Sequence, residues 1–179
     1  MRTLALLIGA LVLLAGCTGA PAAPVATSTS PIAPPVAKPK DARDVQPCSL
    51  LTPTQAAILT LDPSRTKVGS TADLMGCSWP STQPPISSLA VTVDTNPTRR
   101  GLTDTYLKRD DFRTFEPLLI DGFPAVRAER ALSNDCTIEV GLSDTQWMRV
   151  DANARSETDS CALVKRAISA ILTNLPPQR

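Results

Sequence analysis

Residues 159–177 have the sequence DSCALVKRAISAILTNLPP, which carries the clearest secondary-structure pattern in the chain. Its apolar residues recur every three or four positions, which is the period of one face of an α-helix. Asp159 or Ser160 is expected to cap the helix, and Pro176-Pro177 ends it. The stripe consists of Leu163, Val164, Ala167, Ile168, Ile171, Leu172 and Leu175.

A run of strands is predicted before that helix. The candidates are residues 115–120, 125–132, 136–142 and 146–153, with turn-forming residues at 121–122, 133–135 and 142–145. An earlier strand is indicated by Leu89, Val91 and Val93, which alternate with Ala90, Thr92 and Asp94.

Two further helices are predicted upstream. Thr52 and Gln55 form a capping box around a helix at 53–61, in which Ala57, Ile58 and Leu61 should face inward. Asn96-Pro97 starts another helix, whose apolar stripe is Leu102, Tyr106 and Leu107. The order favours one α+β domain at 46–179, an antiparallel sheet packed with about three helices.

Charge and composition exclude several function classes. The 179 residues carry 18 basic and 17 acidic side chains and no histidine. Without a basic excess, nothing favours nucleic-acid binding. Without histidine, Ser-His-Asp and Cys-His catalysis and zinc sites with imidazole ligands are excluded. We expect no cofactor, no metal and no catalytic residue.

Residues 1–16 are predicted to be an export signal, with Arg2 followed by an apolar stretch at 4–14. Eleven residues rise about 16 Å as a helix, roughly half of a bilayer core. Leu14-Ala15-Gly16-Cys17 resembles the lipobox of bacterial lipoproteins. The resemblance implies cleavage after Gly16 and a diacylglycerol on Cys17; a generic signal peptide that ends by chance in cysteine is the alternative.

Residues 17–45 are predicted to be the lipidated cysteine and a disordered tether. The stretch 18–45 is rich in alanine, serine and threonine, and it contains six prolines that disfavour helix and sheet. The tether would hold the domain away from the outer face of the cytoplasmic membrane. A spacer without a length requirement fits the sequence equally well.

Four cysteines remain after Cys17, and an even number in an exported domain predicts two disulfides. Three connectivities are open. We favour Cys48–Cys77 and Cys136–Cys161, because each pair encloses its own segment. Four thiolates could instead bind zinc, but the chain has no Cys-x-x-Cys pair.

The spacing of several landmarks resembles a family of actinobacterial lipoproteins known only as a domain of unknown function. The landmarks are the segments 48–52 (CSLLT), 77–79 (CSW), 121–126 (DGFPAV), 136–140 (CTIEV) and 159–161 (DSC). The resemblance implies that the four cysteines are disulfide partners, and it implies no catalytic residue. The layout is also similar to the PsbP-type α+β sandwich, which concerns architecture alone.

Other motifs have ordinary structural explanations. Ser64 and Lys67 match the Ser-x-x-Lys of penicillin-binding enzymes, but the partner motifs are absent, and Asp62-Pro63-Ser64 is better interpreted as a turn. The acidic residues Asp104, Asp110, Asp111 and Glu116 lack calcium-loop spacing and are interpreted as a solvated surface.

Arg99-Arg100 and Lys108-Arg109 could meet anionic headgroups or wall polymers, although ordinary solubilising charge explains them too. Trp79 and Trp147 could line a pocket, but core packing is the commoner role. We therefore expect a non-enzymatic, lipid-anchored module of the cell envelope that binds a protein, lipid or wall polymer. An envelope carrier of apolar ligands and a small hydrolase are the alternatives.

Overall fold

The computed structural model describes residues 32–70, 74–84, 86–131, 135–154 and 156–179. The predicted signal peptide, Cys17 and the predicted tether up to residue 31 lie outside the described residues, as do residues 132–134 of the predicted strand end and turn. The helices are α1 (Pro53–Ile58), α2 (Thr103–Tyr106) and α3 (Glu157–Asn174). The strands are β1 (Lys67–Ser70), β2 (Met75–Pro80), β3 (Ile86–Asp94), β4 (Thr114–Ile120), β5 (Phe123–Glu129), β6 (Asp135–Gly141) and β7 (Trp147–Ala154).

All seven strands form one antiparallel sheet in the order β1-β2-β3-β7-β6-β5-β4. Two meanders, β1 to β3 and β4 to β7, are joined by the pairing of β3 with β7, which matches Val91 with Val150. The predicted α+β class is confirmed. Residues 95–113, which we call the crossover, connect the two meanders.

Helix α3 packs on β6 and β7 and covers one face of the sheet. All seven residues of its predicted stripe are at most 5% exposed, so the helical period identified the buried face correctly. The predicted cap was wrong. Ser156, whose backbone is extended, accepts a hydrogen bond from the amide of Asp159, so the helix begins one turn before the predicted cap.

The two predicted disulfides are confirmed. Cys48–Cys77 ties the 3₁₀ turn Pro47–Ser49 to β2, and Cys136–Cys161 ties the start of β6 to the fifth residue of α3. Both therefore fasten the helical layer to the sheet. In the loop-entropy treatment, loops of this length stabilise the fold by about 3.5 kcal/mol each.

The first predicted helix is shorter than expected, although its capping box is present. Ile58 is 64% exposed and Ala57 is also exposed, which corrects their predicted inward orientation. Ala56 and Leu59 face the core instead. Thr60 takes a positive φ of 59°, which turns the chain, so that Leu61 enters the core from beyond the helix.

The segment predicted as the end of a disordered tether is part of the domain. The amide of Lys40 donates to the carbonyl of Leu142, and that of Asp41 to the carbonyl of Pro176. Ala42 is 3% exposed. The predicted boundary at residue 46 is therefore too late, because carbonyl groups distant in sequence supply partners for this proline-rich backbone.

Candidate functional site

The crossover lies on the sheet face opposite α3. Leu102 and Tyr106, one helical turn apart, pack on Val126 and Ala128 of β5. The ring of Tyr106 meets that of Phe115 edge-on, with centroids 5.1 Å apart. These contacts fix one side of the crossover on β5. The helix predicted to start at Asn96-Pro97 is only the single turn of α2, which follows the positive φ of Gly101.

A cleft of about 190 Å³ opens between the crossover and the sheet. Strands β3, β6 and β7 supply Asp94, Glu139 and Trp147, while the crossover supplies most of the remaining lining. The six charged residues of the lining balance in formal charge: Arg99, Lys108, Arg130, Asp94, Asp104 and Glu139. We call this hollow the charged cleft.

Two carboxylates are buried in the charged cleft. Asp94 is 2% exposed; it accepts a hydrogen bond of 2.9 Å from the amide of Asn96 and lies 3.5 Å from Nε of Arg99. Glu139 is 6% exposed, and the hydroxyl of Thr105 donates to its Oε2. Burial raises the pKa of Glu139, and the Thr105 hydrogen bond opposes that rise.

The rim of the charged cleft carries cations that remain accessible. Arg130 is 62% exposed; its guanidinium lies 4.8 Å from the ring centre of Phe112 and 3.6 Å from Asp111. Arg99 is 46% exposed on the other side. A small polar ligand would therefore meet guanidinium groups at the entrance and carboxylates beneath them.

A second hollow of about 650 Å³ lies on the other side of the crossover. Residues 32–36 form one wall, and Leu102, Thr103 and Leu107 form much of the other. The amide of Ala33 donates to the hydroxyl of Thr103 across it, at 3.4 Å. We call this hollow the entry groove, because the chain enters the described domain there.

Most residues singled out from the sequence are not brought together. The four acidic residues each pair with a different arginine: Asp104 with Arg100, Asp110 with Arg109, Asp111 with Arg130 and Glu116 with Arg127. Ser64 donates to Asp62 at 2.6 Å in the turn before β1, as the turn interpretation requires. Trp79 is buried in the core, whereas Trp147 reaches the charged cleft.

Glu129 lies beside the second disulfide. Its carboxylate and the sulfurs of Cys136 and Cys161 lie within 4.8 Å of one another. Both sulfurs are bonded in the disulfide, so neither offers a thiolate to a metal ion. Nε of Arg127 pairs with Glu129 at 2.8 Å, which gives the carboxylate a structural partner.

The sequence did not single out Glu139, Thr105 or Arg130. Glu139 alternates with Ile138 and Val140 in β6, a pattern that predicts a solvated side chain. It is buried because the crossover folds over it, and no local pattern reports that tertiary contact. The sequence offered one signal. Asp94 and Glu139 each alternate with apolar neighbours along a strand, so both carboxylates lie on the opposite sheet face from those neighbours.

A family model described as "Protein of unknown function (DUF3558)" matches residues 12–174. The chain belongs to this family. The match includes Leu14 to Cys17 as well as the whole sheet of this DUF3558 domain. No curated protein and no solved structure matches the chain. Among the described residues, no helix is long and apolar enough to cross a membrane.

Proposed function

We propose that this DUF3558 protein is a lipid-anchored, non-enzymatic binding module on the outer face of the bacterial cytoplasmic membrane. Cys17 would carry the lipid, and the domain would present its charged cleft to an envelope protein, a lipid or a wall polymer. The α+β fold with two disulfides is compatible with an extracellular module.

The cysteine pairing carries this proposal. Four of the five cysteines are joined within the domain, which leaves Cys17 outside both disulfides. Disulfides of this kind persist in oxidising compartments and not in the cytosol. A single remaining cysteine at the end of an apolar N-terminal stretch supports an acyl anchor at that position.

The charged cleft supports binding as the activity. Its buried carboxylates already have partners, Thr105 for Glu139 and Arg99 for Asp94. The Thr105 hydroxyl donates to a carboxylate, so it is engaged in a hydrogen bond that holds the crossover on the sheet. The exposed guanidinium groups of Arg99 and Arg130 offer planar donors suited to a carboxylate or phosphate of a ligand.

Fatty-acid labelling in the native host tests the anchor. An alkyne-bearing fatty acid should label the protein, and Cys17→Ser should abolish the label. Thr18→Ser, the neighbouring conservative change, is the matched control and should retain it. Persistent labelling of the Cys17→Ser protein would contradict the anchor at this position.

Incubation of the purified domain with envelope extract tests the binding role. We expect saturable binding that weakens in Arg99→Ala and Arg130→Ala, without turnover. Steady product formation that is lost in Thr105→Val would instead support the hydrolase alternative. The carrier alternative requires a lipid bound to the native protein, which native mass spectrometry would detect.

A further inference from the structure

The position at which the chain enters the domain limits the orientation of the domain on a membrane. Ile32 is 15 residues beyond Cys17, so these two positions cannot be more than about 50 Å apart, even when fully extended. A domain of this size is roughly 40 Å across. An orientation with the entry groove on the far side would therefore need an almost fully stretched connection around the domain.

The entry groove is held in place by the fold. Ala33 bonds to the crossover through Thr103, and the amide of Ala42 donates to the Gln146 side chain at 2.8 Å. The chain therefore cannot shift its point of entry without breaking contacts of the domain. Residues 32–36 line the groove and are also the point at which the segment that follows Cys17 reaches the domain.

The groove and its rim expose apolar side chains. Ile32 is 64% exposed and Leu107 is 46% exposed, on opposite walls of the groove. Pro34 and Pro35 are exposed between them. Scattered exposed apolar residues are normal on a protein surface, but these four line one hollow beside the anchoring segment.

The segment beside the groove carries a small positive formal charge, whereas the groove lining itself is balanced by Arg100 and Asp144. Residues 96–113 contain five basic side chains (Arg99, Arg100, Lys108, Arg109 and Arg113) and three acidic ones (Asp104, Asp110 and Asp111), a net charge of +2. The cleaved chain expected from the sequence would be neutral as a whole. Basic side chains next to a membrane are attracted to anionic headgroups over about one Debye length.

We infer that the surface formed by Ile32, Pro34, Pro35, Arg100 and Leu107, the entry face, rests on the anionic headgroups of the membrane that holds Cys17. The inference rests on the proposed lipid anchor and adds an orientation to it. The apolar side chains would enter the interface, while Arg100, beside its partner Asp104, would meet phosphates. The charged cleft would then open close to the headgroups, on the other side of the crossover.

Hydrogen exchange of the mature lipidated protein in vesicles tests this orientation. Vesicles of phosphatidylcholine with phosphatidylglycerol should slow exchange at residues 98–109 by about tenfold relative to phosphatidylcholine alone, which corresponds to about 1.4 kcal/mol of docking. Ile32→Asp should abolish that protection. Ile58→Asp is the matched control, because Ile58 is also 64% exposed but lies on α1, and its protection should equal that of the wild type.

Equal exchange in both vesicle types, or equal effects of the two aspartate variants, would overturn the inference that the entry face rests on anionic headgroups. So would protection that appears only after envelope proteins are added. The mass of the purified protein separates these failures from failure of the anchor. A protein without an acyl group contradicts the proposed function, whereas a lipidated, vesicle-bound protein with an unprotected entry face contradicts the orientation alone.

Discussion

Glu139 should make the domain less stable as the pH rises. Burial raises the pKa of this carboxyl above its ordinary value near 4.5 in the folded protein. Because the unfolded chain releases the proton more readily, the contribution of Glu139 is fully present below about pH 4.5 and is lost as the pH rises through the folded pKa. Each unit of the rise corresponds to about 1.4 kcal/mol.

Two substitutions isolate that contribution. Glu139→Gln keeps the shape and an acceptor for the Thr105 hydroxyl but cannot ionise, so it should remove this part of the pH dependence. Thr105→Val removes the hydrogen bond that lowers the pKa, so it should enlarge the total loss of stability with pH and extend it to higher pH. At pH above the folded pKa, Thr105→Val should also cost about 1.5–3 kcal/mol, the contribution of a hydrogen bond to a charged group.

Urea unfolding from pH 4 to pH 8, with both disulfides intact, measures these effects. The free energy of unfolding of wild type minus that of Glu139→Gln should fall as the pH rises. Asp41, whose pKa is lowered mainly by its hydrogen bond with Arg43, acts in the opposite direction at acid pH but is common to all variants. If the difference in the free energy of unfolding stayed constant from pH 4 to pH 8, it would refute the claim that Glu139 is buried and titrates with a raised pKa.

Further predictions concern the covalent and backbone framework. The Cys48→Ala/Cys77→Ala double variant should lose about 3.5 kcal/mol in urea unfolding, and an unchanged midpoint would contradict a disulfide that closes a 29-residue separation. Gly101→Ala should destabilise the domain by at least about 1–2 kcal/mol, because its φ is +52° and a Cβ would lie 2.7 Å from the carbonyl oxygen of Ser143. Gly122→Ala is its control: φ is +83° but no atom lies within 4 Å of the added Cβ, so a cost equal to that of Gly101→Ala would contradict a steric clash at Gly101.

The sequence predicted the elements whose residues repeat at a regular period. The stripe of α3 and the apolar residues Leu89, Val91 and Val93 were confirmed as buried, whereas Asp94 on the other face is also buried because the crossover covers it. Pairing neighbouring cysteines also succeeded, since each disulfide closes a local segment. Strands β1 and β2 were missed: β1 is only four residues long, and β2 contains Gly76 and ends at Pro80.

The candidate site was largely beyond sequence reasoning. Its burial depends on the crossover meeting β6 across 34 residues of chain, between Thr105 and Glu139. The basic residues of the crossover were noticed, but a helix starting at Asn96-Pro97 was predicted where Gly101 turns the chain. The ordered segment before residue 46 was missed because its composition is that of a tether, and its partners, such as Gln146, are distant in sequence.

The intact mass of the protein extracted from membranes of its native host tests the anchor and the disulfides together. We expect a chain that begins at Cys17, carries acyl groups there, and lacks the four hydrogens that two disulfides remove. A chain that retains residues 1–16, or one that begins at residue 17 without an acyl group, would contradict it.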